Sequence, residues 1–240
     1  MSINKTSLAK MINSTRTTKR QMGKILVVCA HPDDETLGLG GTIARYSKEN
    51  DVFIQIFTDG QFGRDVSTSG IKERQDNAKK ACSILGVKEV EFLNYADERL
   101  DTIPLVEVAC KIESAIKRWR PNTVFTHYWG DVNQDHKRVF EATLIAARPS
   151  PSSRIKHVIC YETPSSTEWG HGSVKFSPNL FIDIDMVLHK KIKALKMYSN
   201  EISDYPHPRS KDSIISRARY WGSTVGVRHA EAFVTIREIV

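Results

Sequence analysis

Short apolar runs alternate with longer segments of helical spacing along most of the sequence, and this alternation restricts the fold more than any other feature. Each run has the length of a buried strand, and the five runs are 24–29, 52–57, 90–93, 123–127 and 157–161. The segments between them carry apolar residues three and four positions apart, at 36–49, 71–85, 105–119 and 134–147. Repeated strand–helix units predict a Rossmann-like α/β fold with a mostly parallel, doubly wound sheet and helices on both faces.

The last third of the chain is less regular. Further strands are predicted at 181–185 and 232–236, and further helices at 187–198 and 213–221. No internal repeat, low-complexity tract or linker interrupts the sequence. We therefore expect a single domain over residues 24–240, preceded by a separate arm over residues 1–23.

The positive charge of the chain is concentrated in that arm. The formal net charge is +7, and six basic residues near the start account for six of these seven charges. They are Lys5, Lys10, Arg16, Lys19, Arg20 and Lys24. This distribution predicts a solvated, partly disordered arm and argues against a nucleic-acid-binding face. Weak affinity for anionic surfaces and a faint similarity to a transit peptide are the alternatives.

The remaining composition indicates a cytoplasmic protein. No apolar run approaches the roughly 20 residues of a membrane span, and the first residues lack the apolar core of a secretory signal. The four cysteines, Cys29, Cys82, Cys110 and Cys160, are widely spaced in apolar surroundings and form no CxxC pair. They are predicted to be buried free thiols in a reducing compartment.

Two clusters of histidine and acidic residues follow predicted strands. The first, 30–35, follows the first strand, and the second, 131–136, follows the fourth. Ligands of open α/β sheets bind beyond the carboxyl ends of the strands. The carboxylates of Asp33, Asp34, Glu35 and Asp131 would repel one another without a cation, which favours a metal site. The alternative is an ordinary helix N-terminus, where acids are favoured by the helix dipole.

A metal site built from these clusters uses His31, Asp34 and His136. Two imidazoles and one carboxylate suit a catalytic zinc ion that keeps a fourth position open for water. Asp33 lies between the first two ligands in sequence and is predicted to act as a general base on that water. Asp135 is predicted to orient a ligand ring or a neighbouring donor.

The segment Ala30-His31-Pro32-Asp33-Asp34-Glu35 resembles the signature of the PIG-L/LmbE-like de-N-acetylases, and the second cluster is similar to that family's later motif ending in Asp-His. The resemblance extends from about residue 24 to the last residue. It implies zinc at the three ligands and Asp33 as base. It also implies an amidohydrolase that removes an acyl group, expected to be acetyl, from a small-molecule amino sugar, nucleotide sugar or sugar conjugate.

One position departs from that family. Three residues before its last zinc-binding histidine the family commonly has a histidine that polarises or protonates the amide, and here the residue is Asn133. Asparagine can donate a hydrogen bond to an oxyanion but cannot deliver a proton near neutral pH. The acid step then falls to Asp33 or to another group. We consider His127 and His229, and prefer His229 because segment 228–233 could fold back over the strand ends.

Four residues are candidates for substrate contacts. Arg74 resembles a family position that holds the sugar. Glu168 and Trp169 follow the fifth strand and offer an acid and an indole to a sugar face. Arg209, with Arg217 and Arg219 downstream, could hold a phosphate or a carboxylate. The structural alternatives are a solvated helix arginine, an ordinary loop and a turn made rigid by prolines.

Two other classes of function fit parts of the sequence. Two histidines and one carboxylate also suit a non-haem iron oxygenase, although those sites usually lie on β-sheet jelly rolls. A nucleotide-binding module without hydrolysis is weakly indicated by Gly38, Gly40 and Gly41, which lack the expected spacing. The oligomeric state, including a homo-oligomer, stays open.

Overall fold

A seven-stranded sheet forms the centre of the structure, a computed structural model that describes residues 22–61, 68–151, 153–170 and 175–240. The strand order is β3-β2-β1-β4-β5-β7-β6. Strands β1 to β5 are parallel, and β7 is antiparallel to both of its neighbours. The strands are β1 Ile25–Cys29, β2 Val52–Thr58, β3 Glu89–Tyr95, β4 Thr123–His127, β5 His157–Tyr161, β6 Leu180–Asp183 and β7 Ala230–Glu238.

Helices cover both faces of the sheet because residues of the buried strands alternate between two apolar layers. In β1, Ile25 and Val27 pack on one face while Leu26 and Val28 pack on the other, as the two-residue period of a strand requires. The helices in the described ranges are α1 Asp34–Tyr46, α2 Thr68–Leu85, α3 Leu105–Trp119, α4 Gln134–Ala146, α5 Leu188–Leu195 and α6 Lys211–Thr224. Helices α1 and α2 contribute to the first layer, and α3 and α4 to the second.

This architecture confirms the predicted α/β fold and its mostly parallel sheet. The predicted bounds of α3, β4 and β5 agree with the structure, whereas the predicted helix over 187–198 ends as an α-helix at Leu195 and continues as a 3₁₀ segment, Lys196–Glu201. The prediction of four buried thiols is wrong at one position. Cys29, Cys82 and Cys160 are buried, but Cys110 is exposed because it lies on the outward face of α3.

The chain order creates a crevice at the carboxyl edge of the sheet. From β1 the chain continues to β2 on one side, whereas β4 pairs with β1 on the other. The loops that follow β1 and β4 therefore diverge at this point, which is where ligands bind in open α/β sheets. These two loops carry both histidine and acidic clusters.

Helix α1 is interrupted at Leu39, whose φ of -142° and ψ of 25° are not helical. The carboxylate of Glu231, in β7, accepts hydrogen bonds from the backbone N–H groups of Gly41 and Thr42 at 2.9 and 2.6 Å. Lys191 of α5 donates to the same carboxylate at 2.6 Å. A buried ion pair thus satisfies the backbone donors that the interruption exposes.

The predicted arm over residues 1–23 lies almost entirely outside the described residues. Met22 is described, and its side chain is buried in the first apolar layer. Within the described ranges, no helix has the length and apolar character needed to cross a membrane.

Candidate active site

The loop between β1 and α1 has an unusual backbone conformation. Asp33 has a φ of 129°, a region that non-glycine residues occupy only where the surroundings enforce it. The carboxylate of Glu35 accepts from the Asp33 N–H at 3.1 Å, from Thr36 Oγ1 at 2.7 Å and from the Tyr198 hydroxyl at 2.6 Å. This buried carboxylate fixes the turn that presents Asp33 and Asp34.

Three side chains predicted as metal ligands converge at the crevice. His31 Nδ1 lies 3.1 Å from His136 Nε2, and each nitrogen lies 3.4 Å from an Asp34 oxygen. Tetrahedral zinc with bonds of about 2.0–2.1 Å requires donor atoms about 3.3 Å apart. The three donors therefore fit a zinc ion, and two imidazole nitrogens that face each other at 3.1 Å are well placed to share one cation.

Carboxylates also lie behind the two histidines predicted as ligands. His31 Nε2 lies 2.9 Å from Asp97 Oδ1 and 3.5 Å from Asp135 Oδ2. His136 Nδ1 lies 3.2 Å from Asp131 Oδ2 and 3.1 Å from Ser166 Oγ. A carboxylate behind a metal-binding imidazole fixes the ring and increases its basicity.

Asp135 has a second structural role, because its two oxygens accept the backbone N–H groups of Glu98 and Leu100 at 2.9 and 3.0 Å. These bonds hold the loop after β3 against the start of α4. Asp97 and Glu98 are thereby brought beside His31.

Burial and charged neighbours shift the pKa values of two side chains in the site, His136 and Asp33. Burial acts to lower the pKa of His136, but Asp34 and Asp131 outweigh it and raise that pKa to about 9. Burial raises the pKa of Asp33 to about 6, with Asp34 contributing in the same direction and Arg209 and Arg74 opposing it. The site thus places a carboxyl whose pKa is near neutrality beside an imidazole whose pKa is raised by its carboxylate neighbours.

His127 lies beneath the site and is fully buried. Its Nε2 accepts the Ala30 N–H at 3.0 Å and lies 3.3 Å from Asp34 Oδ2. Burial, with the nearby His136, lowers the pKa of His127 to about 4. A neutral ring that accepts at Nε2 carries its proton on Nδ1, which lies 3.3 Å from Thr163 Oγ1. His127 is not among the residues that line the cavity above the three donors.

A cavity of about 220 Å³ opens above the three donors. Its lining residues come from several loops and helices and are His31, Asp33, Gly60, Arg74, Asp97, Glu98, Asn133, His136, Ser166, Glu201 and Arg209. A larger cavity of about 610 Å³ lies at the opposite edge of the sheet, and no histidine or aspartate lines it. The chemistry therefore belongs to the smaller cavity.

Two of the predicted substrate-binding residues, Arg74 and Arg209, line this cavity. Arg209 Nη1 donates to Asp33 Oδ2 at 3.1 Å, and its Nε donates to Ser165 Oγ at 2.6 Å. Arg74 pairs with Glu201 and donates to the Pro32 carbonyl at 3.1 Å. Glu201 also lies 3.8 Å from Arg209, so one carboxylate bridges both arginines.

Asn133 also lines the cavity and is the N-cap of α4. Its Oδ1 accepts the His136 N–H at 3.1 Å, and its Nδ2 donates to Glu98 Oε1 at 2.5 Å. The cap fixes the first turn of the helix that carries His136. An amide nitrogen has two N–H groups, so Nδ2 retains a second donor beyond the one used on Glu98.

The other three predicted site residues lie away from these groups. Glu168 accepts from the backbone of Ser165 and Ser166 and pairs with Arg217. Trp169 is 67% exposed and does not line the cavity. His229 pairs with Asp185 at 2.7 Å and also does not line it. His229 directly precedes β7, and its backbone carbonyl accepts the Ile184 N–H at 3.0 Å just after β6. It therefore lies beside the edge strand β6, laterally away from the donors at β1 and β4.

Sequence reasoning missed several cavity residues. Asp97, Glu98 and Glu201 come from irregular or 3₁₀ segments with no recognisable motif. Gly60 has a φ of 67°, and a Cβ there would lie 2.6 Å from Arg74 Nε. The Thr58-Asp59-Gly60 strand end was a usable signal for Gly60, because it follows β2 at the same edge of the sheet.

Comparison with known proteins agrees with this geometry. The sequence model of the family described as GlcNAc-PI de-N-acetylase, PIG-L, matches residues 26–147. The chain belongs to the PIG-L family. The match spans the loop after β1 and the start of α4, and so includes all three converging donors.

Two relatives that resemble the chain in sequence carry the name deacetylase. The chain is 32% identical to the "Uncharacterized deacetylase YaiS" of Escherichia coli over 73% of this chain and 90% of that protein. It is 28% identical to the diacetylchitobiose deacetylase of Thermococcus kodakarensis over 87% of this chain and 81% of that protein. These names identify the protein as an enzyme of the amidohydrolase class.

A solved structure with the same fold covers nearly the whole chain. The N,N'-diacetylchitobiose deacetylase of Pyrococcus horikoshii superimposes with a TM-score of 0.74 at 22% identity, over 99% of this chain and 94% of that one. The single-domain architecture seen here, including β6, β7 and α6 after the matched family region, is therefore shared at the level of the fold.

Proposed function

We propose that the protein is a zinc-dependent de-N-acetylase that hydrolyses the acetamide of an amino sugar or sugar conjugate. The observation that supports this most is the convergence of His31, Asp34 and His136 at 3.1 to 3.4 Å beneath a cavity that Asp33 also lines. The deacetylase names of the relatives, one of which names diacetylchitobiose, support the same reaction.

Zinc at the three donors would polarise the acetamide carbonyl and acidify a water molecule. The protein must then supply a base within reach of that water. Asp33 is 2% exposed, faces the cavity and is fixed by the turn that Glu35 holds. Its carboxylate accepts the proton as the water oxygen bonds to the acyl carbon.

The second half of the reaction requires an acid, because the C–N bond breaks to give acetate and an amine that must gain a proton. His127 is buried beneath Asp34, and His229 lies against Asp185. Among the described cavity residues, Asp33 is the group placed to return the proton it has taken. One carboxyl thus acts first as base and then as acid.

Developing negative charge on the carbonyl oxygen also needs a donor. Asn133 is held at the cavity wall by its two hydrogen bonds, and its second N–H supplies a neutral donor that needs no reorganisation. Donors of this kind stabilise oxyanions strongly because they are fixed in advance.

The test is acetate release by the purified protein from N-acetylglucosamine and N,N'-diacetylchitobiose. We expect turnover with added zinc, loss of turnover with a chelator, and recovery when zinc is restored. Turnover that survives complete removal of bound metal, verified by atomic emission, would refute the metal-dependent mechanism. Release of no acetate from any N-acetylated sugar would refute the proposed activity.

A further inference from the structure

The charge of the cavity wall bears on whether the cavity binds charged or uncharged sugars. Within the described residues, the wall contains four carboxylates and only two arginine or lysine side chains, Arg74 and Arg209, beside the two histidines proposed to hold the metal. The carboxylates belong to Asp33, Asp97, Glu98 and Glu201. A bound divalent cation with its ligand Asp34 leaves this region without excess positive charge.

The arginines around the cavity are already held by carboxylates. Arg209 donates to Asp33 and Arg74 pairs with Glu201. Arg217, the next arginine along the chain, pairs with Glu162 and Glu168 at 2.6 and 3.0 Å. A phosphate could bind any of these arginines only by competing with its carboxylate partner.

That competition is unfavourable because two of the partners are buried. Asp33 is 2% exposed and Glu162 is 6% exposed. Removing the cation from a buried carboxylate leaves an uncompensated charge in a region of low polarity. Arg219, the remaining arginine of α6, is exposed and is not a cavity residue.

We propose that the cavity selects uncharged N-acetylated sugars and discriminates against phosphorylated, nucleotide-linked and carboxylated ones. This inference rests on the proposed function and specifies its substrate class. An uncharged sugar meets no repulsion from the wall, and hydroxyl groups suit carboxylate acceptors. The product amine gains a proton, and the same wall then stabilises an ammonium group.

Glu98 is the residue through which the wall acts most directly. It is partly exposed and forms no ion pair with a described arginine or lysine. Its carboxylate accepts a hydrogen bond only from the neutral Asn133 amide among the described side chains. The variant Glu98→Gln keeps an oxygen that can accept from Asn133 while removing the charge.

The experiment compares kcat/KM for acetate release from N-acetylglucosamine and from its 6-phosphate, with UDP-N-acetylglucosamine as a second anionic substrate. We expect the uncharged sugar to be preferred by about tenfold or more, because like charges facing each other are strongly unfavourable. Raising the salt from about 0.05 to about 0.5 M should reduce the preference by screening. Glu98→Gln should reduce it severalfold, and the distant control Glu113→Gln should not.

Equal or better turnover of the phosphorylated sugar would overturn the inference while leaving the deacetylase activity intact. A preference for the uncharged sugar that changes neither with salt concentration nor in Glu98→Gln would also overturn the inference. If no sugar is turned over, the proposed activity fails, and binding to the zinc-loaded protein decides the inference. Calorimetry should then show tighter binding of glucosamine than of glucosamine 6-phosphate, and the reverse order would contradict the proposal.

Discussion

Arg209 forms an ion pair with Asp33, Nη1 to Oδ2 at 3.1 Å, across 176 positions of sequence. Burial raises the pKa of Asp33, and the Arg209 guanidinium opposes that rise. The arginine therefore keeps the carboxyl ionised at a lower pH than its burial alone would allow. Arg209 therefore acts on Asp33, the proposed base, and is not a free binding site for an anion.

Replacing Arg209 tests this relationship. In Arg209→Gln the opposing charge is lost, so the pKa of Asp33 rises and the acidic limb of the kcat/KM profile moves to higher pH. We expect a loss of about tenfold or more at pH 6 and a smaller loss above pH 8. Initial rates between pH 5 and 9 measure the shift, with Arg219→Gln as the exposed control. An acidic limb that does not move would show that Arg209 does not affect the pKa of Asp33.

Asp33→Asn removes the base while retaining a side chain of the same shape. We expect zinc content to remain near that of the parent protein and turnover to fall by about 10²- to 10⁴-fold, the usual contribution of a positioned base. Metal analysis and acetate release on the same preparation measure both quantities. Substantial turnover in a zinc-loaded variant would remove Asp33 from the role.

Removing a ligand should affect the metal as well as the rate. His31→Ala and His136→Ala each lose one of three donors, and we expect substoichiometric zinc in both after dialysis. His229→Ala is the matched control, because its ring contacts Asp185 outside the cavity. We expect that variant to retain zinc and most of its activity. Full zinc occupancy in both ligand variants would show that the site is assigned wrongly.

The ion pair between Arg217 and the buried Glu162 predicts a pH-dependent stability. Burial raises the pKa of Glu162, and Arg217 opposes that rise. A raised pKa in the folded state means that stability falls as pH rises through the interval between the unfolded and folded values. In Arg217→Gln the folded pKa rises further, so the interval extends upward. The loss in free energy of unfolding should therefore be larger at pH 8 than at pH 5.

Urea unfolding at the two pH values measures that difference. Because Arg217 is 28% exposed, we expect only about 1–3 kcal/mol at pH 8, below the range for fully buried pairs. Arg228→Gln is the control, since its side chain is 85% exposed. An equal loss at both pH values would indicate lost packing without a change in the titration of Glu162.

The fold and the metal donors were predictable because their signals are local. Buried parallel strands such as β4 and β5 are short apolar runs. Because β1 and β4 are parallel neighbours, the loops that follow them begin side by side at the same edge of the sheet. The cavity wall has no such signal. Glu201 lies in a 3₁₀ segment, and its position beside Arg74 and Arg209 depends on how distant elements pack.

Two predicted roles illustrate the same limit. The sequence indicates that Arg209 could hold a phosphate or carboxylate of the substrate, but its carboxylate partner is Asp33 of the protein itself. The sequence also indicates that segment 228–233 could fold back over the strand ends, whereas His229 lies beside β6 and pairs with Asp185. In both cases the residue type indicated a polar or ionic contact, but the partner of that contact could not be predicted, because charge pairing depends on tertiary structure.

The contact between Glu231 and the interruption of α1 bears on how the protein matures during synthesis. The backbone groups of Gly41 and Thr42 are translated early, yet the carboxylate that accepts from them follows 190 and 189 positions later. Chains fold progressively as they leave the ribosome, and contacts of such sequence separation form late. A nascent chain therefore carries the metal-binding residues long before the helix behind them is secured, and premature termination yields a chain with the family motif but without its anchor.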